Sequence, residues 1–448
     1  MKNYSIYAFY LTAIVLVLLL VVSFFNPIKI GAYTLKDVDI LSEVRKDEEV
    51  AIDSTLVPIV QPKFSDSCKA GMFCIEDYSP NKNALARFLN ALDSTKRKNI
   101  RIAFYGDSFI EGDILTQDLR EGLQAKYGGR GVGFVPASTV LAGARRSVTI
   151  NSSSIESHWL VDSIVSRREA GIAGSYYYPY SGGSVSYIGS NFRKYIDTFS
   201  TVRIIYQNKQ RDSKVSYSVN RTERGSIILP KSERVNVAEV KSNIGRIWMS
   251  FSETSGLKVY GALLDGPAKG IAVDNFAMRG NSGYAMLNAP QQTIQQTDSL
   301  LSYRLVVLQY GLNAMQSSEK QYTRYKEKMV KTVEHIKACF PNADILILGV
   351  SDRSTRKAGK YVTMPTVPYM INAQREVAAQ TQVAFWDTFS AMGGENSMET
   401  FVKAKPPKAA KDYTHLSYEG GKDIGGKLLE ALLYEKTKHD EKKAYGAK

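Results

Sequence analysis

The chain has 448 residues, 44% of them apolar and 23% charged, with a formal charge of +14. That length allows two or three domains with a sizeable core, and the composition excludes a disordered or fibrous chain. The basic residues are spread along the sequence, densest from Lys436 to Lys448, which argues for attraction to anionic surfaces or polymers and against nucleic acid as a partner.

Tyr7 to Phe25 is an uncharged run of about twenty residues, the length that crosses a bilayer as a helix. Lys2 precedes it, which keeps the amino end in the cytoplasm. The stretch Val21-Val22-Ser23-Phe24-Phe25-Asn26-Pro27 offers no small-x-small cleavage site. Residues 1–26 are therefore expected to stay as a membrane anchor, with the rest of the chain outside the cytoplasm. Residues 27–80, with scattered prolines and no sustained period, read as a stalk. Cys68 and Cys74 are close enough in sequence for a small disulfide suited to an export compartment; three reduced cysteines are the alternative, with Cys339 in a helical pattern. No metal-ligand spacing is present among them.

An α/β pattern opens at residue 81. Leu85, Phe88, Leu89 and Leu92 recur at helical spacing, and Arg101 to Tyr105 is a β-prone apolar run ending at Gly106-Asp107-Ser108. Ile114, Leu115, Leu119 and Leu123 then mark a helix, which would set Ser108 at a helix N-terminus where developing negative charge is favoured. The bland alternative is a serine that only caps the helix. Gly131 to Pro136 reads as a glycine-rich loop; it lacks the lysine and hydroxyl of a phosphate loop. From residue 144 to 268 helical periods vanish, and short Val/Ile/Tyr/Ser runs such as Val202 to Tyr206 and Ile244 to Met249 alternate with turn residues. That pattern specifies an inserted β-sandwich, jelly-roll-like, and Tyr176-Tyr177-Tyr178 raises sugar stacking against ordinary packing. The α/β pattern resumes over residues 269–434. Apolar runs at Ile271 to Ala277, Leu305 to Tyr310, Ile345 to Val350 and Val383 to Trp386 alternate with amphipathic helices, so a parallel sheet covered on both faces is expected. Residues 435–448 read as a solvated basic tail.

A serine becomes a nucleophile only when a base takes its proton, usually a histidine held by a carboxylate. Four histidines are available. His158 lies in the β-rich insertion, His335 inside a long helix and His439 in the charged tail. His415 remains, in a loop before the last helix, with Asp412 three residues earlier to accept its Nδ1 hydrogen bond. Gly280 and Asn313 both follow apolar strands, so both should reach the sheet edge that carries Ser108. A glycine N–H and an asparagine amide, together with the Ser108 N–H, suit an oxyanion hole.

These residues resemble the four blocks of the SGNH (GDSL-like) hydrolase superfamily: Gly106-Asp107-Ser108, Gly280, Gly311-Leu312-Asn313, and Asp412 to His415. The resemblance is closest to the periplasmic peptidoglycan O-acetylesterases and their acetyltransferase relatives. It covers Gly106 to Pro136 and Gly311 to His415, with Phe385-Trp386-Asp387 and Ala391-Met392-Gly393-Gly394. It implies a three-layer α/β/α fold with Ser108 as nucleophile, His415 as general base and acid, and Asp412 as orienter. Ser108, Gly280 and Asn313 would form the oxyanion hole, and neither metal nor organic cofactor is needed. One departure is Ala314, where an acidic residue usually follows the third-block asparagine, so a different neighbour must orient Asn313. The expected protein is a single-pass inner-membrane esterase with its catalytic domain in the periplasm, acting on an O-acetylated envelope glycan. The alternatives are an O-acetyltransferase served by a membrane-bound acyltransferase partner, and a non-catalytic glycan-binding protein.

Overall fold

The computed structural model describes residues 9–15, 29–30, 33–34, 68–69, 71–139 and 145–446. Two compact units are distinguished: residues 1–58 with 356–360, and residues 59–355 with 361–448. In the first, residues 9–15 are helical and Lys29–Ile30 pairs with Tyr33–Thr34. The remainder of the expected anchor, and most of the expected stalk, lie outside the described residues. Among the described residues no helix is long and apolar enough to cross a membrane.

The second unit is built on a six-stranded sheet. Five strands run parallel in the order Gly270–Ala277, Asn99–Gly106, Tyr303–Gln309, Asp344–Leu348 and Ala384–Trp386. Glu76–Asp77, from the segment read as stalk, adds a short antiparallel edge. The parallel strands are buried almost throughout, which is why their sequences are unbroken apolar runs. Such strands need cover on both faces, and two helix groups are present. Ala86–Leu92 and Thr116–Tyr127 pack on the final helix, Tyr418–Gly446; Gln291–Leu301, Thr323–Cys339 and Val367–Thr381 pack one against the next. The final helix takes in most of the expected tail. Lys436, on this helix, is buried and pairs with Asp93 at 2.6 Å and Asp440 at 2.5 Å, so ion pairs hold a stretch that looked merely solvated.

Between Asn99–Gly106 and Gly270–Ala277 the chain forms a nine-stranded antiparallel ladder. Ser175–Gly189 and Leu257–Asp265, near its middle, meet only at Tyr177 and Val259. The ladder is thus two half-sheets whose inner faces share a core, with Tyr187, Val215, Ile247 and Met249 from one and Val202, Ile204, Val240 and Leu264 from the other. One strand contradicts the sequence reading: Gly131–Val135, taken for a loop, pairs with Leu257–Asp265. Its glycines are demanded by crowding. A Cβ on Gly131 would lie 2.1 Å from Leu264 O, and one on Gly133 2.2 Å from Asp274 Oδ1.

A buried ion network fixes the sandwich to the parallel sheet. Arg101, on Asn99–Gly106, donates to Asp274 at 2.9 and 2.7 Å and to Asp265 of the sandwich at 3.0 Å. Asp274 also accepts from Tyr303 Oη at 2.6 Å and from the Phe134 N–H at 2.8 Å. Asp265 accepts from Arg203 at 2.5 Å as well. Every ion of the network has an opposite charge, although Asp265 Oδ1 and Arg203 Nε find no hydrogen-bond partner among the described residues; removing one partner would leave a bare charge in the core.

Candidate active site

Asn99–Gly106 stops where a side chain no longer fits. A Cβ on Gly106 would meet Ile110 Cδ1 at 2.8 Å and Gln309 O at 2.9 Å. Asp107 and Ser108 therefore leave the sheet at its carboxyl edge, where open α/β folds bind ligands. The α-helix expected directly after Ser108 starts only at Thr116, with the 3-10 turn Glu111–Asp113 between them. The break comes from two left-handed residues, Gly112 at φ 67° and Asp113 at φ 66°. Ser108 thus gains nothing from a helix dipole, which fades within the first turn.

What holds this turn is the fully buried Asp113 carboxylate. It accepts from Thr116 Oγ1 at 2.9 Å, Asn275 Nδ2 at 3.0 Å, Ser147 Oγ at 2.5 Å, Arg145 Nε at 2.8 Å and Arg120 Nη1 at 3.1 Å. Burial alone would push its pKa up, but the Arg120 and Arg145 guanidiniums hold it far below the usual carboxylate range. Asn275 donates in addition to Ile110 O at 2.8 Å, so the segment after the serine is pinned at both ends.

Ser108 Oγ stands 2.9 Å from His415 Nε2, although 307 positions separate the two residues. His415 Nδ1 is 2.7 Å from Asp412 Oδ2. A carboxylate can only accept, so the proton sits on Nδ1 and Nε2 is left as an acceptor for the serine hydroxyl. The loop is fixed by the bridge between Ala409 and Leu416 and by the Ser354 N–H donating to Tyr413 O at 3.1 Å. Partial burial raises the Asp412 carboxyl, yet hydrogen bonds from the His415 backbone and ring and from the Thr414 N–H bring it below its ordinary value. Asp412 thus stays ionised opposite the imidazole. The other histidines are occupied elsewhere: His335 Nε2 lies 2.9 Å from Ala289 O, His439 Nε2 lies 3.0 Å from Asn90 Oδ1, and His158 stacks on Tyr176.

Gly280 and Asn313 follow strands that pair with Gly106 at their ends, Ala277 on one side and Gln309 on the other. All three loops therefore open at one edge. The N–H groups of Ser108 and Gly280 meet no protein acceptor among the described residues. Asn313 Nδ2 donates to Asp107 Oδ2 at 2.8 Å and, more loosely, to Asn281 O at 3.3 Å. Asp107 is the neighbour that orients Asn313 where an acidic residue after the asparagine is missing. Its other oxygen accepts from the Phe109 N–H at 2.9 Å. Burial pushes its pKa up to about 6 against these hydrogen bonds. Sequence reasoning gave Asp107 no partner and missed this link; Ala314 beside Asn313 was the signal that could have revealed it. Also missed was the ion pair between Glu111 and Arg279, which ties the serine turn to the Gly280 loop.

The three side chains stand on an open rim, Asp412 and His415 being 51% and 40% exposed. A cavity of about 460 Å³ lies beside the Glu111–Arg279 pair, lined by Phe134, Trp159, Tyr177 and Met278, and includes neither Ser108 nor His415. Among the described residues no cluster of His, Cys, Asp and Glu could hold a metal ion.

No protein-family model matches the chain, and no curated protein matches it in sequence. Solved structures do. One described as "Peptidoglycan O-acetylesterase in action, 5 min" is 22% identical over 81% of this chain and 99% of that one, with a TM-score of 0.67. At this identity the likeness is one of fold. Weaker likenesses are to a family two carbohydrate esterase from Clostridium thermocellum in complex with cellohexaose (10% identity, 63% and 98% covered, TM-score 0.28). Another is to the acetyl xylan esterase AlAXEase (15%, 36% and 81%, TM-score 0.27). Scores as low as these last two support no conclusion about fold or chemistry.

Proposed function

We propose that this chain is a serine esterase that removes O-acetyl groups from a cell-envelope glycan, with peptidoglycan as the polymer. The observation that carries the reading is the continuous relay from Ser108 Oγ to His415 Nε2 and from His415 Nδ1 to Asp412. Ser108 Oγ attacks the acetyl carbonyl while Nε2 takes its proton. The tetrahedral oxyanion is met by the N–H groups of Ser108 and Gly280 and by Asn313 Nδ2, whose long contact to Asn281 O is the one a substrate oxygen would displace. The imidazolium, stabilised by Asp412, then gives its proton to the departing sugar oxygen. Water, activated by the same imidazole, adds to the acyl-enzyme and releases acetate with Ser108 restored. The exposure of the triad supports a polymeric substrate, since a long glycan can lie across an open rim but cannot enter an enclosed pocket. The peptidoglycan O-acetylesterase that shares the fold supports the choice of ester and polymer.

On this reading the catalytic part lies in the periplasm, tethered through residues 1–26. The Cys68–Cys74 disulfide supports an oxidising compartment. The test is acetate release from O-acetylated peptidoglycan and from a small acetyl ester. Ser108→Ala should lower turnover on both by at least ~10³-fold, as loss of a triad nucleophile does. Wild-type turnover in Ser108→Ala would end the assignment.

A further inference from the structure

Tyr413 is bent into the left-handed region at φ 55°, where a bulky side chain is strained. It stands between Asp412 and His415, and its bend folds the loop back on itself. Asp412 Oδ1 can then accept from the Thr414 and His415 N–H groups, both at 3.0 Å, while Oδ2 faces the His415 ring. In an extended chain, residues three apart are separated by about 10 Å, too far for these two side chains to meet.

A strained residue persists only where its surroundings over-determine it. One hold on Tyr413 is local, its N–H donating to Ala410 O at 3.1 Å. The other two come from a distant part of the chain. The Ser354 N–H donates to Tyr413 O at 3.1 Å, and the Tyr361 ring stacks on the Tyr413 ring, centroids 3.5 Å apart and planes 9° from parallel. The residues around Tyr361 are themselves fastened. The Met364 N–H donates to Arg353 O at 2.8 Å. The Thr363 N–H donates to Asn396 Oδ1 at 3.1 Å, and Thr363 Oγ1 accepts from the Asn396 N–H at 2.7 Å. Arg353 also donates to Leu312 O at 3.2 Å, one residue before Asn313. The same piece of chain therefore touches the loop of the imidazole on one side and the loop of an oxyanion donor on the other.

We propose that Tyr361 is a positioning residue for His415: its ring, flat on Tyr413, holds the left-handed bend that brings Asp412 to the imidazole. It acts through Tyr413 and not on the substrate. Stacking supplies the contact area, and the tyrosine hydroxyl is not needed for it. The proposal rests on the esterase reading for its kinetic test alone, because the tautomer of His415 reads the same geometry without any substrate.

The chain has only four histidines, so isotope-labelled histidine and long-range proton–nitrogen spectra of the full chain can follow the His415 ring, assigned with His415→Gln. In the unsubstituted chain and in Tyr361→Phe, which keeps a stacking ring, Nδ1 should carry the proton. In Tyr361→Ala the ring should show a mixture of tautomers. Its kcat on a small acetyl ester should fall about tenfold or more, with KM within about twofold. Asparagine accepts the left-handed backbone, so Tyr413→Asn should keep the tautomer without the stack. Adding Tyr361→Ala to Tyr413→Asn should then change kcat by less than about twofold, and this pair carries the test even if Tyr361→Ala alone fails to fold. An unchanged tautomer and kcat in Tyr361→Ala, or an equal loss in Tyr361→Phe, would overturn the proposal. So would a full loss on adding Tyr361→Ala to Tyr413→Asn. A chain that hydrolyses no ester yet shows the tautomer change would sink the esterase reading alone.

Discussion

Asp113→Asn keeps the size of the side chain and tolerates the left-handed backbone, so its effect isolates the buried negative charge. Asp113 receives Arg120 and Arg145 together, at 3.1 and 2.8 Å, with its own side chain fully buried and Arg145 only 14% exposed. Neutralising it leaves two guanidiniums facing each other without a counter-charge. Breaking a buried pair in this way costs about 3–5 kcal/mol. For 448 residues the unfolding entropy is roughly 0.9 kcal/mol per kelvin, so the loss corresponds to a fall in Tm of roughly 3–5 °C. The same carboxylate holds Asn275, which pins Ile110 two residues past the nucleophile, so kcat on a small ester should fall about tenfold or more with KM little changed. Urea denaturation and steady-state kinetics on the same preparation measure both. A stability change under about 1 kcal/mol together with wild-type kcat would refute the view that this hub sets the turn.

Asp412→Asn should present an amide to His415 Nδ1 and favour the wrong tautomer. Initial rates should fall by ~10²–10⁴-fold, the upper figure being that of a buried triad aspartate. For Asp107, burial raises the folded carboxyl to about 6 from 3.8, so the folded state holds a proton that the unfolded state has released between those values. The penalty is complete above pH 6 and absent below 3.8. Relative to Asp107→Asn, the wild type should therefore gain up to about 3 kcal/mol as pH falls through that window, read by urea denaturation at several pH values. A difference between the two that does not vary with pH would contradict the burial argument. Gly280→Ala meets no atom within 4 Å but forces a side chain onto φ +73°. It should cost about 1–2 kcal/mol of stability. Its turnover should also fall more than tenfold, because the added methyl occupies the open side from which the ester oxygen must arrive.

The meeting of Ser108, His415 and Asp412 was legible because it rests on scarce residues. With four histidines, elimination reached His415, and Asp412 followed from local spacing. The parallel strands were legible because full burial writes them as apolar runs. Other features depend on contacts that no local pattern encodes. Gly131 and Gly133 look like loop residues, yet they are strand residues squeezed by Leu264 and Asp274 from far along the chain. Asp113 breaks the expected helix after Ser108 because Arg145 and Ser147, more than thirty positions on, stabilise its unusual backbone. Glu76–Asp77 is too short to carry a period at all.

Arg101 lies on the strand that leads into the Ser108 turn and takes one of its two counter-ions from the sandwich. Excising the sandwich, or exchanging it for another by domain swapping, would strip Asp265 from that guanidinium and unseat the strand that ends at Gly106, two residues before Ser108. The insertion is therefore not a cassette. Chimeras that splice at the module boundaries should lose both stability and any ester turnover.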